Sequence, residues 1–366
     1  MDTSVHASLG VGMIGLGFMG RTHVAAYESA RRAGYPCRLV AVCDRQAERR
    51  AGQVAVAGNI ATLDTPRAKP ASPGDARREA ARGVSRATGA ARLFDPSQVC
   101  VYADAADLLA DPAVQLVSIC TPTDTHVDLT IAALRAGKHV LVEKPLALGS
   151  ADAHRVVEAA AAAQTLCMPA MCMRFWPGWP WLKAAIDAQT YGRVESAVFT
   201  RLGSPPAWSA FYQDVQRCGG GMVDMHIHDT DFIRWCFGDP QSVASTGTEQ
   251  HITTIYRYPS GPPHVVAEGG WIDGLKFRMR YRVAFERAVA EFEFGREHPL
   301  MLTHGNLSEP VRLEPLSAYD LEIRYFVEAI AGGDRDFRAT VADAEAVARL
   351  LEAERESLLT GVPITL

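Results

Sequence analysis

The sequence has no closely spaced cysteine pair, no long apolar run and no excess of basic residues. Its 366 residues carry a net charge of −5, so it lacks the cations that displace counterions from nucleic acid. None of the eight cysteines forms a C-x-x-C pair, and Cys43 and Cys120 fall within apolar runs, as expected of free thiols in a reducing compartment. No stretch of about 20 uninterrupted apolar residues occurs, and the N-terminus lacks the basic start of a signal peptide. We therefore expect a cytoplasmic protein that binds neither nucleic acid nor membrane.

The first part of the chain alternates short apolar strands with helices. Buried strands are predicted at 11–15, 38–43, 116–120 and 139–142, and helices at 21–32, 104–109 and 125–136. Such strands, separated by helices, indicate a parallel sheet covered on both faces. Residues 58–97, rich in proline, alanine and arginine, interrupt the alternation and are interpreted as an inserted surface loop. The length predicts two domains, which we place at 1–148 and 149–366.

The second part has a different pattern, typical of an antiparallel sheet with helices. Strands are predicted at 194–202, 251–258, 264–272, 277–286 and 288–294, and helices at 151–163, 319–331 and 341–359. In one of these strands Met279, Tyr281 and Val283 alternate with arginines, which indicates one buried and one wetter face. The expected architecture is an α/β domain followed by an α+β domain, and clefts between domains are favoured ligand sites.

A glycine-rich turn follows the first predicted strand. Gly15, Gly17 and Gly20, with Phe18 and Met19 between the last two, fit the pattern G-x-G-x-x-G. In a dinucleotide-binding turn the first glycine allows the tight turn, the second admits the pyrophosphate and the third lets helix and strand pack closely. The N-terminus of the following helix then faces the phosphates. A glycine-rich turn without a nucleotide is the alternative.

An acidic residue ends the second predicted strand. Asp44 lies where a carboxylate can accept hydrogen bonds from the adenosine ribose, and its charge disfavours a 2′-phosphate, so NAD is preferred over NADP. Arg45 keeps NADP possible, because a guanidinium there could pair with that phosphate. The alternative for Asp44 is a role as a helix N-cap.

Two further stretches carry a family resemblance. The first runs from Thr121-Pro122 through His126 to Glu143-Lys144-Pro145, and the second is G-G-G-x-x-D-x-x-x-H, from residue 219 to His228. Together with the glycine turn they resemble the Gfo/Idh/MocA family, the relatives of glucose–fructose oxidoreductase and inositol dehydrogenase. The resemblance implies a Rossmann domain, with a doubly wound parallel sheet, followed by an α+β domain with a large, open, mostly antiparallel sheet. It also implies oxidation of a secondary alcohol of a sugar or polyol with a nicotinamide cofactor.

The resemblance implies a catalytic set of Lys144, Asp224 and His228. Lys144 follows a strand that ends at the ligand crevice, where it would contact the reacting hydroxyl; an ion pair with a nearby acid is the alternative. If their segment is helical, Asp224 and His228 lie one turn apart on one face, so both can point into one cleft. A histidine suits removal of an alcohol proton near neutral pH. His226 falls on a different face, and relatives often have a small residue there.

The remaining candidates are expected to surround the cofactor. The resemblance places Thr121, Pro122 and His126 along the nicotinamide and its ribose, Glu143 at the same crevice, and Arg174 near cofactor or substrate. Aromatic residues could stack on a sugar or make domain contacts: Trp176, Trp179 and Trp181, and more weakly Trp208 and Tyr212. A metal is not expected, although acids and histidines crowd between 224 and 231.

Two other functions and an assembly state are also considered. Some relatives use bound NAD transiently while they cleave a glycosidic bond, and a sensor of sugar or NAD on the same scaffold would be non-catalytic. The strands at 251–258 and 264–272 have apolar residues on both faces, for example Ile252 and Ile255. Since the chain's helices can cover one face, a second subunit is expected on the other, which gives a homodimer or a tetramer of such dimers.

Overall fold

Two sheets organise the chain in the computed structural model, which describes residues 8–53, 92–207 and 209–366. The first sheet has six parallel strands in the order β3-β2-β1-β4-β5-β6. Its strands are β1 (Leu9–Ile14), β2 (Cys37–Cys43), β3 (Cys100–Tyr102), β4 (Leu116–Ile119), β5 (His139–Glu143) and β6 (Cys167–Ala170). All the residues of β4, and most of those of β1 and β5, are buried, as expected for a parallel sheet with helices on both faces.

The helices of this half connect its strands or flank them. They are α1 (Phe18–Arg32), the short α2 (Ala47–Arg50), α3 (Ala105–Ala110), α4 (His126–Arg135) and α5 (Ser150–Ala162). Asp104 begins α3 by accepting a hydrogen bond from the Ala106 backbone N–H, which satisfies one donor that the helix leaves unpaired. The parallel sheet and its helices confirm the predicted fold class for this half.

The second sheet has nine strands in the order β14-β13-β12-β11-β7-β10-β9-β8-β15. All its pairings are antiparallel except that of β7 with β10. Its strands are β7 (Val194–Gly203), β8 (Ser242–Gly247), β9 (His251–Arg257), β10 (His264–Trp271), β11 (Arg278–Phe285), β12 (Val289–Glu293), β13 (Leu300–His304), β14 (Leu307–Pro310) and β15 (Ile364–Thr365). Met279, Tyr281 and Val283 are buried while the alternating arginines are exposed, as predicted.

In the described part of the chain, five α-helices accompany this sheet. They are α6 (Trp179–Asp187), the short α7 (Val215–Cys218), α8 (Ile227–Phe237), α9 (Ala318–Gly332) and α10 (Val341–Thr360). A capping box between Thr340 and Asp343 begins α10. This helix reaches back to the first half, where Glu352 accepts hydrogen bonds from the backbone N–H and the hydroxyl of Ser150 at the start of α5. None of the described helices is both long and apolar enough to cross a membrane.

The structure moves one predicted boundary. Strand β6 pairs in parallel with β5, so the first sheet continues to Ala170 and the predicted division at residue 148 falls inside that half. The reason is that α5 leads into one more parallel strand rather than into the second sheet. Of the inserted loop predicted at 58–97, residues 58–91 lie outside the described residues, and so does Trp208.

Candidate active site

A cavity of about 650 Å³ lies where the parallel strands end and the second half begins. Most of the predicted site residues line it: Gly15, Gly17, Phe18, Met19, Asp44, Arg45, Thr121, Pro122, His126, Glu143, Lys144, Asp224 and His228. Gly20 and Arg174 do not. The carboxyl edge of a parallel sheet is where ligands bind in open α/β folds, because the loops that follow the strands meet there.

The three glycines of the first turn meet different surroundings. Gly15 has φ +89°, and a Cβ on it would lie 2.6 Å from the Cys120 carbonyl oxygen. A Cβ on Gly20 would lie only 1.9 Å from the Gly15 carbonyl oxygen, so α1 can approach β1 only without a side chain. At Gly17 the nearest atom would be an Arg49 guanidinium nitrogen, 3.9 Å away. Gly17 is thus the glycine whose missing side chain opens space toward the cavity, at the start of α1.

Asp44 ties the glycine turn to the end of β2. Its Oδ2 accepts from the Leu16 backbone N–H at 2.8 Å, and its Oδ1 accepts from the Gln46 backbone N–H at the same distance. Arg49 places Nη1 3.5 Å from Oδ2. Arg45 is exposed at the rim of the cavity. Gln46, not Asp44, is the N-cap of α2, although Asp44 supports the turn that leads into that helix.

His126 links the loops that follow β4 and β5. Its Nδ1 lies 2.7 Å from the Pro145 carbonyl oxygen and its Nε2 lies 2.9 Å from the Thr121 carbonyl oxygen. His126 is 1% exposed and lines the cavity, so its ring holds the two loops together at the cavity wall. This makes His126 a residue that shapes the cavity wall.

Lys144 and Asp224, which both line the cavity, join the two halves of the chain. Lys144 Nζ donates to the Asp224 carbonyl oxygen at 2.7 Å and to Oδ1 at 3.0 Å. The other carboxylate oxygen, Oδ2, accepts from Trp271 Nε1 at 3.3 Å. Both partners of the ion pair keep a small exposed fraction, 15% for Lys144 and 17% for Asp224, so the pair remains open to a ligand in the cavity.

The segment that carries Asp224 is a π-helical turn, Met222–His226, which continues into α8. Such turns occur often at functional sites. The segment is thus helical, as the expectation for Asp224 and His228 requires, and both residues line the cavity. His228 is half-buried and its Nδ1 lies 3.9 Å from Cys172 Sγ. Burial, reinforced by the charges of Lys144 and Arg201, holds the pKa of His228 well below its ordinary value of 6.5. The imidazole is therefore neutral at pH 7 and able to accept a proton.

A buried series of hydrogen bonds supports the backbone of Lys144. Glu143 Oε1 lies 3.0 Å from His23 Nε2, and His23 Nδ1 lies 2.8 Å from Ser118 Oγ. Glu143 Oε2 accepts from the Lys144 backbone N–H at 3.0 Å. His23 on α1 therefore fixes the carboxylate that in turn holds the backbone of Lys144.

Sequence reasoning missed several residues of the cavity wall. Trp271 holds Asp224, as described, and Arg201 lies on the inward face of β7, where its guanidinium pairs with buried Asp229 at 3.1 Å. The sequence does contain a signal for Arg201: it alternates with the apolar Ala197 and Phe199 on one face of a predicted strand. Trp271 gave no such signal, since a tryptophan at a strand end is equally typical of a core.

Arg174 is not at the cavity, which corrects the prediction for this residue. It is 1% exposed, and its guanidinium binds Asp231 Oδ1 at 2.6 Å and Asp343 Oδ2 at 2.9 Å. The 3₁₀ turn Cys172–Arg174 brings Cys172 to the cavity and sends Arg174 toward α8 and α10. Its role in the structure is to join these helices.

Of the described tryptophans considered for stacking on a sugar, only Trp176 lines the cavity. Trp179 is fully buried among aromatic rings, including Phe232 at 4.7 Å between ring centroids. Trp181 lies beside Tyr191, away from the cavity. Tyr212, a weaker candidate, does line it. No group of three or more His, Cys, Asp or Glu side chains in the described parts of the chain is arranged to hold a metal ion.

Comparison with known proteins places both halves in one family. Residues 57–171 match the oxidoreductase family with an NAD-binding Rossmann fold, GFO/IDH/MocA, and residues 180–290 match the C-terminal domain of the same family. The chain is 33% identical over 180 residues to myo-inositol 2-dehydrogenase of Thermotoga maritima, an alignment that covers 45% of the chain and 52% of that protein. It is 33% identical over 184 residues to scyllo-inositol 2-dehydrogenase (NAD⁺) of Bacillus subtilis, with 50% of each covered. The chain thus spans about half the length of these curated relatives.

A solved structure shares the whole fold. Levoglucosan dehydrogenase, in complex with NADH and levoglucosan, superimposes with a TM-score of 0.75 at 20% identity, over 98% of this chain and 99% of that one. At this identity the likeness establishes the fold, a parallel six-stranded sheet followed by a large, mostly antiparallel sheet.

Proposed function

Because the chain belongs to the GFO/IDH/MocA family of oxidoreductases, we propose that it is a dehydrogenase that transfers a hydride between a secondary alcohol of a sugar or polyol and NAD. The observation that carries the proposal is the convergence of Lys144, Asp224 and His228 in the cavity that also contains the glycine turn. The inositol dehydrogenases among the relatives support the substrate class, and levoglucosan dehydrogenase supports it at the level of the fold.

The residues around the glycine turn fit a dinucleotide. Gly17 leaves the start of α1 open to the cavity, so a pyrophosphate can approach backbone N–H groups at the positive end of the helix. Asp44, at the end of β2, lines the cavity where the adenosine ribose would lie. Thr121, Pro122 and Glu143 line the part of the cavity that we assign to the nicotinamide.

The proposed chemistry divides the work among three side chains. When bound, NAD⁺ supplies the hydride acceptor. Lys144 donates to the alcohol oxygen and stabilises the negative charge that develops there as the proton leaves. Neutral His228 accepts that proton. Asp224 holds the Lys144 ammonium through Oδ1 and its carbonyl oxygen, so that the donor is already in place before substrate arrives.

NAD is the proposed preferred cofactor, and NADP the weaker one. The Asp44 carboxylate disfavours a 2′-phosphate, whereas Arg45 and Arg49 at the same end of the cavity would attract it. The ratio of kcat/KM for NAD to that for NADP measures the balance. We expect Arg49→Gln to raise this ratio, because it removes a cation that would pair with the extra phosphate of NADP. An unchanged ratio would exclude Arg49 from cofactor selection.

The test of the proposed activity is a panel of myo-inositol, scyllo-inositol and levoglucosan with NAD⁺, followed by NADH absorbance. Lys144→Ala should still bind NADH and should lose most of its turnover with any compound that the wild type oxidises. Lys183→Ala is the matched control, since Lys183 pairs with Asp187 on α6, outside the cavity. Full activity of Lys144→Ala would refute the mechanism. Release of a free sugar from a glycoside without net NADH would instead indicate the glycoside-cleaving reaction.

We also propose a homodimer, or a tetramer built from such dimers. The face of the second sheet turned away from its buried core carries an apolar row, in which Val266 pairs with Ile255 on one side and Val198 on the other. Ile255 is 42% exposed. A two-fold axis through this row would cover it with its own copy.

A further inference from the structure

A buried polar network lies under the π-turn, outside the cavity wall. His226 ends the turn, two residues after Asp224 and two before His228, and it is fully buried. Its Nε2 lies 3.0 Å from Glu354 Oε2 and 3.3 Å from the Tyr256 hydroxyl. Its Nδ1 has no hydrogen-bond partner among the described residues, so Nε2 makes all the polar contacts of this ring.

The network connects the turn to two distant elements. Glu354 lies on α10 and Tyr256 on β9, and the Tyr256 hydroxyl donates to Glu354 Oε1 at 2.7 Å. Thr230 on α8 adds a hydroxyl 3.0 Å from that of Tyr256. Glu354 is fully buried and Tyr256 is 1% exposed. Glu354 Oε1 accepts from the hydroxyls of Tyr256 and Thr230, whereas Oε2 has the ion-pair contact with His226 Nε2 and no hydrogen bond among the described residues. Since a buried carboxylate is costly unless it is paired, the position of each member depends on the others.

Contacts with β10 and with Glu249 also restrain the π-turn. A Cβ on Gly269 of β10 would lie 2.7 Å from His226 Cβ, so the turn rests directly on that strand. Trp271, on the same strand, donates to Asp224, and the Met222 backbone N–H donates to the Glu249 carbonyl oxygen at 2.9 Å. A shift of His226 is therefore transmitted to Asp224, whose contacts define the place of Lys144 Nζ.

We propose that His226, Glu354 and Tyr256 are positioning residues, which fix the π-turn so that Asp224 holds Lys144 for reaction. The proposal rests on the dehydrogenase function proposed above. None of the three lines the cavity, so they act through Asp224 rather than on substrate or cofactor. Errors of about 1 Å in the placement of a reacting group can cost about a hundredfold in rate, which makes such a network consequential.

The test compares Glu354→Gln and Tyr256→Phe with the wild type, using the panel compound that gives the fastest NADH formation. We expect kcat to fall about tenfold or more in Glu354→Gln and less in Tyr256→Phe, while the Kd for NADH changes less than about twofold. Tyr281→Phe is the matched control, because Tyr281 is also buried and donates to the Gly178 carbonyl oxygen, outside the cavity. It should keep the wild-type kcat.

A double variant separates positioning from general loss of structure. If the network acts through Asp224, adding Glu354→Gln to Asp224→Asn should lower kcat no further, whereas independent effects multiply. Multiplying losses, or a kcat within about twofold of wild type in both single variants, would overturn the proposal. If the wild type forms NADH with no panel compound, the proposed function fails. A crystal structure of NADH-bound Glu354→Gln then decides the network, since an intact 3.0 Å contact between Lys144 Nζ and Asp224 Oδ1 would refute it.

Discussion

Replacing Gly17 with alanine should weaken NAD binding without weakening the fold. Gly17 has φ −69°, a value that alanine adopts without strain, and a Cβ there would meet no atom closer than 3.9 Å. We therefore expect the free energy of unfolding to stay within about 1 kcal/mol of wild type. The methyl group would occupy the approach of the pyrophosphate. Loss of one hydrogen bond to a charged phosphate costs about 1.5–3 kcal/mol, which raises Kd about 10- to 150-fold.

Gly20→Ala should behave in the opposite way. Its Cβ would lie 1.9 Å from the Gly15 carbonyl oxygen, which is backbone and cannot rotate aside, so α1 must move away from β1. Overpacking of this kind costs about 1–3 kcal/mol of stability. The contrast between the two alanines therefore separates a glycine needed for the ligand from one needed for packing.

Two measurements on purified variants test this contrast. NADH fluorescence titration gives Kd, and thermal unfolding gives the midpoint, with Gly332→Ala as a control because a Cβ there meets no atom within 4 Å. The reasoning is refuted if Gly17→Ala binds NADH as tightly as the wild type does. It is equally refuted if Gly20→Ala unfolds at the wild-type temperature.

Three further predictions concern the base, a buried ion pair and the assembly. Burial and the charges of Lys144 and Arg201 hold the pKa of His228 below 6.5, so kcat/KM for alcohol oxidation should fall on the acid side only below pH 6.5. An acid limb of the pH profile centred above pH 6.5 would exclude His228 as the base. Arg174→Ala leaves the buried Asp231 carboxylate without its partner, so denaturant titration should show a free energy of unfolding lower by about 3–5 kcal/mol. The Kd for NADH should stay unchanged. Ile255→Glu should give a particle of 39.6 kDa in light scattering, whereas the wild type gives a multiple of that mass; equal masses for both would remove the proposed interface.

The parts of the fold that could be predicted are those encoded over short distances. The order strand, glycine turn, helix and strand from Leu9 to Cys43 depends on apolar runs and glycine spacing within a few residues, and the structure has this order. The alternation in β11 likewise indicates its buried face directly. Strands β3, β8, β13, β14 and β15 were not predicted; β3 and β15 are only three and two residues long, and all the residues of β14 are exposed.

What could not be predicted depends on contacts between distant residues. The spacing of Asp224 and His228 does not distinguish a π-turn from a regular α-helix, and the π-turn packs on Gly269 and Trp271. The resemblance put Arg174 at the cofactor, but its charge is satisfied by Asp231 on another helix. In both cases the deciding partner lies dozens of residues away along the chain, where no local pattern reveals it.

The return of α10 to the first half has a consequence for synthesis of the protein. Ser150 and Glu352 meet across 202 residues of sequence, and Glu354 on the same helix reaches the turn that carries Asp224. A nascent chain can therefore pair the strands of its first sheet early, but the ion pair of Lys144 with Asp224 gains its support only after residues 341–360 have left the ribosome. Until then the growing chain would hold the proposed dinucleotide-binding surface without the supported Lys144–Asp224 pair, so the proposed dehydrogenase activity would appear last during translation.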